Sequence, residues 1–206
     1  MNDTLILGAG QAHELELAFR RNDWTNALIK KLSEGEILEQ VRLVLLGQAE
    51  ITVVKHIIDL SADPFIPSAL FEDVEHHEKG PADFEWDPAK VRLHLSKNQK
   101  GQNTIEGNNL RKELASESPF NANLLDYLLK NPHLIPEEWK KDEAGNTRYT
   151  YFWGTIYRDS DGRLCVRCLC WSGTEWDWDC RWLGFRWRSL SPAACLAQVA
   201  LGSCSL

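Results

Sequence analysis

Apolar residues in the first quarter of the chain recur at helical spacing. Residues 14–50 are predicted as two helices. One begins with the stripe Leu15, Leu17, Ala18 and Phe19 and is broken near Asn22-Asp23. The other runs through Leu28, Ile29, Leu32, Ile37, Leu38, Val41, Val44 and Leu45. Thr25 is placed to cap the second with its hydroxyl, Gly35 to divide it into two short pieces, and Gly47 to stop it. Gly8-Ala9-Gly10 reads as a linker. This region forms a helical extension packing on the main domain or on a second copy of the chain.

Beyond it the pattern changes. Ile51 to Leu60 is β-branched and strand-like, and Asp63-Pro64 and Ile66-Pro67 punctuate the next stretch of chain. Residues 72–80 are a polar run read as a solvated loop. Val91, Leu93 and Leu95 alternate with Arg92 and His94 as a half-buried strand, and 96–104 is a polar loop. Helices are expected over Gly107 to Ala115 and Asn121 to Lys130, the latter ended by Asn131-Pro132. From Tyr149 the period is two. Tyr149-Tyr151-Trp153 and Phe152-Gly154-Ile156 occupy opposite faces of one strand, and Leu164 to Trp171 forms the next. Asp159-Ser160-Asp161-Gly162 joins them as a hairpin turn. The class is therefore α+β: a helical extension over residues 1–50, then a domain over 51–206 with two helices and an antiparallel sheet.

Composition narrows the function classes. The chain has 206 residues and a net charge of −7, which argues against broad nucleic-acid or anionic-membrane binding. No apolar run reaches the length of a membrane span and no secretory signal is visible, so a cytoplasmic location is expected. All six Cys lie at or after Cys165, and without a signal peptide they are expected as free thiols. Residues 1–150 carry 17 basic and 25 acidic groups, whereas 151–206 carry 6 and 5, every basic one an Arg. The last quarter is a different kind of surface.

Three motifs could carry metal chemistry, and local geometry weighs against each. His76 and His77 are adjacent, so in an extended segment their side chains point apart. Asp159-Ser160-Asp161-Gly162 has the beginning of a calcium loop without its distal Glu, and Asp and Gly are also what a hairpin demands. Cys165 and Cys168 have Cys-x-x-Cys spacing, but residues three apart in a strand face opposite sides. No metal or cofactor is expected. No phosphate loop, nucleophile elbow or zinc-protease motif occurs.

The most informative stretch is 170–191, in which Trp171, Trp176, Trp178, Trp182 and Trp187 punctuate Asp, Ser, Arg, Cys, Gly and Phe. So many indoles imply a rigid aromatic scaffold. Other carrying stretches are Ile58-Asp59-Leu60-Ser61-Ala62-Asp63-Pro64-Phe65 and Phe84-Glu85-Trp86-Asp87-Pro88. Two more are Asn131 to Trp139 and Phe152 to Gly162. Together they resemble uncharacterised proteins of candidate-phylum bacteria, over about residues 51–200. Their Trp-framed segment is similar to that of the variable proteins of diversity-generating retroelements, which carry a C-type-lectin fold. Such elements substitute at template adenines. They leave Trp codons fixed and do not produce Trp, Lys, Glu, Gln or Met at the positions they change. Of the 17 non-Trp residues in 170–191 only Glu175 lies outside the reachable set, although Asn and Tyr, usual in such segments, are missing.

The resemblance implies a non-enzymatic, receptor-like ligand-binding protein that displays a diversifiable surface. The presented residues would be Cys170, Ser172, Thr174, Asp177, Asp179, Cys180, Arg181, Gly184, Phe185, Arg186, Arg188, Ser189, Leu190 and Ser191. Phe185 and the three Arg would be its anchors. Its partner would be a protein or small-molecule ligand, and a homo-oligomer would form through the N-terminal helices. Two other readings remain: an enzyme with no recognisable motif, and a single-stranded nucleic-acid binder using Trp and Arg, against which Glu175, Asp177 and Asp179 leave the segment near neutral.

Overall fold

The computed structural model describes residues 6–197 and divides the chain into two units, Met1–Val54 and Lys55–Leu206. The first holds α1 (Ala9–Arg21), α2 (Asn26–Leu32) and α3 (Ile37–Leu45), none of which contains a buried residue. There are thus three helices among the described residues of this unit, the second expected helix being divided at Gly35. The dividing residues act as expected. Thr25 Oγ1 accepts from the Leu28 N–H, and Gly35 and Gly47 take the left-handed φ values of 61° and 69° that end α2 and α3. Gly8-Ala9-Gly10 is no linker, because α1 begins at Ala9 with Gly8 as its N-cap.

The second unit is mixed α+β. It contains β1 (Ile57–Ile58), β2 (Asp73–His77), β3 (Phe84–Glu85), β4 (Val91–His94), β5 (Ile105–Glu106), α4 (Gly107–Leu114) and α5 (Ala122–Lys130). These are followed by β6 (Tyr149–Tyr151), β7 (Thr155–Arg158), β8 (Leu164–Trp171), β9 (Trp176–Trp182), β10 (Arg186–Trp187) and β11 (Ala193–Leu196). Seven strands form one sheet in the order β2-β7-β8-β6-β11-β4, with β9 also paired to β8. Every pairing is antiparallel except β11 with β6.

Strand β8 is the hub. Its first residues pair with β7 and its last with β6 along one edge, while β9 runs along the whole of the other. The single strand expected from Tyr149 to Ile156 is therefore two strands. The chain turns at Phe152–Gly154, where the Gly154 N–H donates to the Phe120 carbonyl. A Cβ on Gly154 would lie 2.8 Å from the Pro119 carbonyl oxygen, so only glycine permits this approach. The turn also resets the alternation, and Ile156 joins Tyr151 and Trp153 in one cluster instead of facing away.

Two further expectations are corrected. Only Ile57 and Ile58 of the β-branched run pair as a strand, because it meets just the two residues of β3. The run 72–80 contains β2, drawn onto the edge of the sheet by pairing with β7, with a register shift between Val74 and His76. Polar residues suit such an edge, where only one side is covered.

A helix covers each face. On one, Leu124, Leu125 and Leu128 of α5 pack with Trp86, Trp139, Phe152 and Leu169. On the other, Leu110 and Leu114 of α4 pack with Tyr151, Trp153, Ile156, Val166, Cys168, Leu183 and Trp187. Asn121 caps α5, accepting from the Asn123 N–H, and its amide donates to the Leu60 and Glu78 carbonyls at 2.8 Å each.

Candidate ligand-binding surface

The hairpin β8–β9 is held by a full ladder from Cys165↔Trp182 to Trp171↔Trp176. Directly opposed residues share a face. Trp171, Trp176, Trp178, Cys180 and Trp182 therefore stand with Leu169, Arg167 and Cys165 on the α5 side. Cys170, Asp177, Asp179 and Arg181 stand with Cys168 and Val166 on the α4 side.

The indoles are engaged. Trp171 and Trp176 meet edge to face at 5.5 Å with the Lys140 ammonium 3.8 Å above Trp171. Trp178 lies under the Arg167 guanidinium at 4.3 Å, and Arg167 makes two hydrogen bonds to Asp126 on α5, at 2.8 and 3.2 Å. Trp182 carries Arg163 at 3.6 Å and stacks with Phe185 at 5.1 Å. Trp187 is fully buried between Tyr151 and Trp153, at 4.5 and 4.6 Å. Gly107 makes room for it. A Cβ there would come within 2.5 Å of the Trp187 Nε1 and 2.3 Å of the Leu183 carbonyl.

Two residues between the indoles of β9 face outward. Asp177 and Asp179 are exposed and make no ion pair among the described residues. They do serve the backbone. The Leu183 N–H points at β8, donating to the Leu164 carbonyl, so by alternation the N–H groups of Trp178 and Cys180 point to the free edge of β9. Asp177 Oδ1 and Asp179 Oδ1 accept from these two groups at 2.7 Å each. A short acceptor side chain thus occupies donors that would otherwise recruit another strand. The tip Ser172–Glu175 is exposed and closed by the Ser172 Oγ, which donates to the Glu175 carbonyl at 2.9 Å, with Gly173 at φ 104°.

Ser172, Thr174, Asp177, Asp179, Gly184, Phe185, Arg186, Arg188 and Ser189 are all exposed, as expected. Five others depart from that expectation. Ser191 is buried, and its carbonyl accepts from the buried Gln99 amide, so it anchors the strand entry. Cys180 lies on the α5 face, packed half-buried in one cluster with Cys165, whose thiol beside it holds the Cys180 pKa below the ordinary value. Arg181 is half-buried over the Phe185 and Trp187 rings, with its Nη2 donating to the Arg186 carbonyl at 2.8 Å. It ties the loop down and is not offered to a ligand. Cys170 is half-buried with its Sγ 3.7 Å from the Asp177 carbonyl; burial, reinforced by Asp179 and Asp177, pushes the thiol up to about 11. Leu190 is half-buried, its carbonyl accepting from the Tyr149 N–H.

Residues missed in the sequence complete the surface. β10 pairs with β5, setting Arg186 beside a polar cleft walled by Asn98, Gln102, Asn103, Thr104, Glu106 and Asn109. Arg186 Nη1 lies 3.5 Å from Thr104 Oγ1. Beneath it Gln99 donates to the Arg188 carbonyl at 3.1 Å and fixes the loop from below. The density of amide side chains over 98–109 was the available signal, but nothing local says that this loop meets residue 186.

Cys165 and Cys168 fall in different clusters on opposite sides of the sheet, as strand alternation requires. The Asp159–Gly162 segment is a hairpin turn, with the Asp159 carboxylate accepting from the Asp161 and Arg163 N–H groups and from the Arg163 guanidinium. No helix among the described residues is long and apolar enough to cross a membrane. No known family model, curated protein or solved structure matches the chain.

Proposed function

We propose that this is a non-enzymatic ligand-binding protein of C-type-lectin-like architecture, whose surface over residues 172–189 is a target of retroelement diversification. The reading is carried by the alternation along β9. Trp176, Trp178 and Trp182 engage one face, and Asp177 and Asp179 between them stand exposed with no ionic partner among the described residues. A strand whose even positions supply its packing tolerates change at the odd positions that stand exposed. Gly184 adds to this, since a Cβ there meets nothing within 4 Å.

The ligand-contacting set on this reading is Ser172, Thr174, Asp177, Asp179, Gly184, Phe185, Arg186, Arg188 and Ser189, with Asn103, Thr104 and Asn109 as an unvarying wall. Arg186, Arg188 and Phe185 supply the guanidinium and aromatic groups that dominate interface energetics. Stacking of nucleic-acid bases is less well served. Trp182 already carries Arg163 and Phe185, Trp171 carries Lys140, Trp178 carries Arg167, and Trp187 is buried.

The test is to sequence the region encoding 170–191 in many isolates, together with its genomic surroundings. Substitutions confined to the outward codons and to template adenines, beside a reverse transcriptase gene and a near-copy of the segment, are expected. Equal variation at Trp codons, or an invariant segment with no reverse transcriptase nearby, refutes the proposal.

A further inference from the structure

A second concavity has no part in the surface just described. It encloses about 480 Å³ between α4, the Gly154 turn and the chain around Gly80, and none of residues 170–191 lines it. Its floor is apolar, formed by Leu60, Phe84, Leu114, Phe120 and Trp153, all buried. The volume lies within the range of small-molecule sites, which combine such a floor with a few fixed polar groups.

The charged groups on its rim differ in what they already hold. Lys79 pairs with Asp63 at 3.2 Å, and Glu78 faces His76 at 3.5 Å. Arg111, half-buried on α4, makes no ion pair among the described residues. A guanidinium beside a concave apolar surface, with no carboxylate of its own, is matched by a ligand that brings one. The wall also carries an unmet donor, for the Trp153 indole N–H is buried without an acceptor among the described residues.

We propose that this cavity binds a small organic carboxylate with an apolar body, the carboxylate on Arg111 and the body against Phe84, Leu114 and Trp153. The site stands apart from the diversified surface and does not depend on it.

The test uses the full chain with octanoate and its neutral isostere octanamide, read from the indole ¹⁵N–¹H spectrum with the Trp153 signal assigned through Trp153→Phe. Octanoate is expected to shift that signal saturably, and octanamide to bind roughly tenfold more weakly for want of the ion pair. Arg111→Gln should remove the preference for the carboxylate. Ala115→Leu, at an exposed lining position, should abolish binding by filling the mouth while leaving the fold intact. If Arg111→Gln does not fold, the comparison of the two probes on the unaltered chain still decides. No shift at millimolar octanoate overturns the proposal, as does equal affinity for octanamide. Contacts from residues 198–206 to the Trp153 ring that persist at saturating octanoate also overturn it, since the cavity would then hold the chain's own end.

Discussion

Strands β8 and β9 share every rung of one ladder and carry similar residues, yet the sheet treats them differently. In β8 the run Cys165–Leu169 is buried on both faces, and Arg167 is held there by its paired contact with Asp126 and by the Trp178 ring. In β9 one side of the backbone is free and one face is open, and Asp177 and Asp179 need nothing beyond solvent and their own N–H partners. The buried charge of the first strand requires a dedicated partner, as does the half-buried Arg181 at the end of the second, whereas the exposed Asp177 and Asp179 require none. Freedom to vary is therefore a property of place in the sheet, not of residue type.

The most direct challenge to this contrast is at the indoles. Trp187→Ala should lower unfolding stability by about 4 kcal/mol, the range for emptying a fully buried aromatic site, as measured by urea denaturation. A loss below about 1 kcal/mol would mean that the framework does not rest on Trp187. Asp126→Ala should cost about 3 kcal/mol, because it leaves the Arg167 charge buried without its carboxylate. The double variant Asp177→Asn, Asp179→Asn, which keeps an acceptor for each edge N–H, should stay within about 0.5 kcal/mol of the parent. Comparable losses in the two cases would erase the distinction between the strands.

The thiols extend the contrast to chemistry. Cys170 and Cys180 are both half-buried, but the first is pushed up to about 11 and the second is held low by the neighbouring Cys165 thiol. The thiolate is the reactive form, so at pH 8 Cys180 should be alkylated by iodoacetamide at least about tenfold faster than Cys170. Cys165→Ala should slow Cys180. Asp179→Asn should speed Cys170 about two- to threefold, because removing a nearby negative charge favours the thiolate. Mass-spectrometric labelling rates check each, and equal rates for the two cysteines would contradict the assignment of faces. The smallest effect is expected at Gly184. Gly184→Tyr should move the thermal midpoint by less than the equivalent of about 0.5 kcal/mol, since its Cβ opens to empty space.

Several elements could be read directly. Leu124, Leu125 and Leu128 repeat at helical spacing after the cap Asn121, and the α5 they predict forms within a residue of its expected limits. The Asp159–Gly162 turn arises from its own side chains, and so does the opposition of Cys165 and Cys168 from the strand's alternation. Such features depend on contacts a few residues apart. Of the surface residues, the exposed ones were picked out by the Trp framing and the resemblance it carries; the strand alternation that sends Asp177 and Asp179 outward was not legible between the indoles. Nor were the places of Ser191 and Cys180, because each is claimed by a group far along the chain, Gln99 and Cys165, and Arg181 folds back onto the rings and carbonyl of the 185–187 loop.

The chain by itself determined its local periods, its caps and turns, and the framing of the last quarter by Trp. Tertiary structure alone decided where a strand stops, as at Phe152–Gly154, and that β9 is an edge. It also decided that residues 98–109 meet Arg186 and that Arg111 overlooks an apolar cavity. The physical reason is range. Backbone geometry and side-chain alternation act over a turn or two of chain, whereas burial, edge position and charge pairing depend on what the rest of the fold brings alongside.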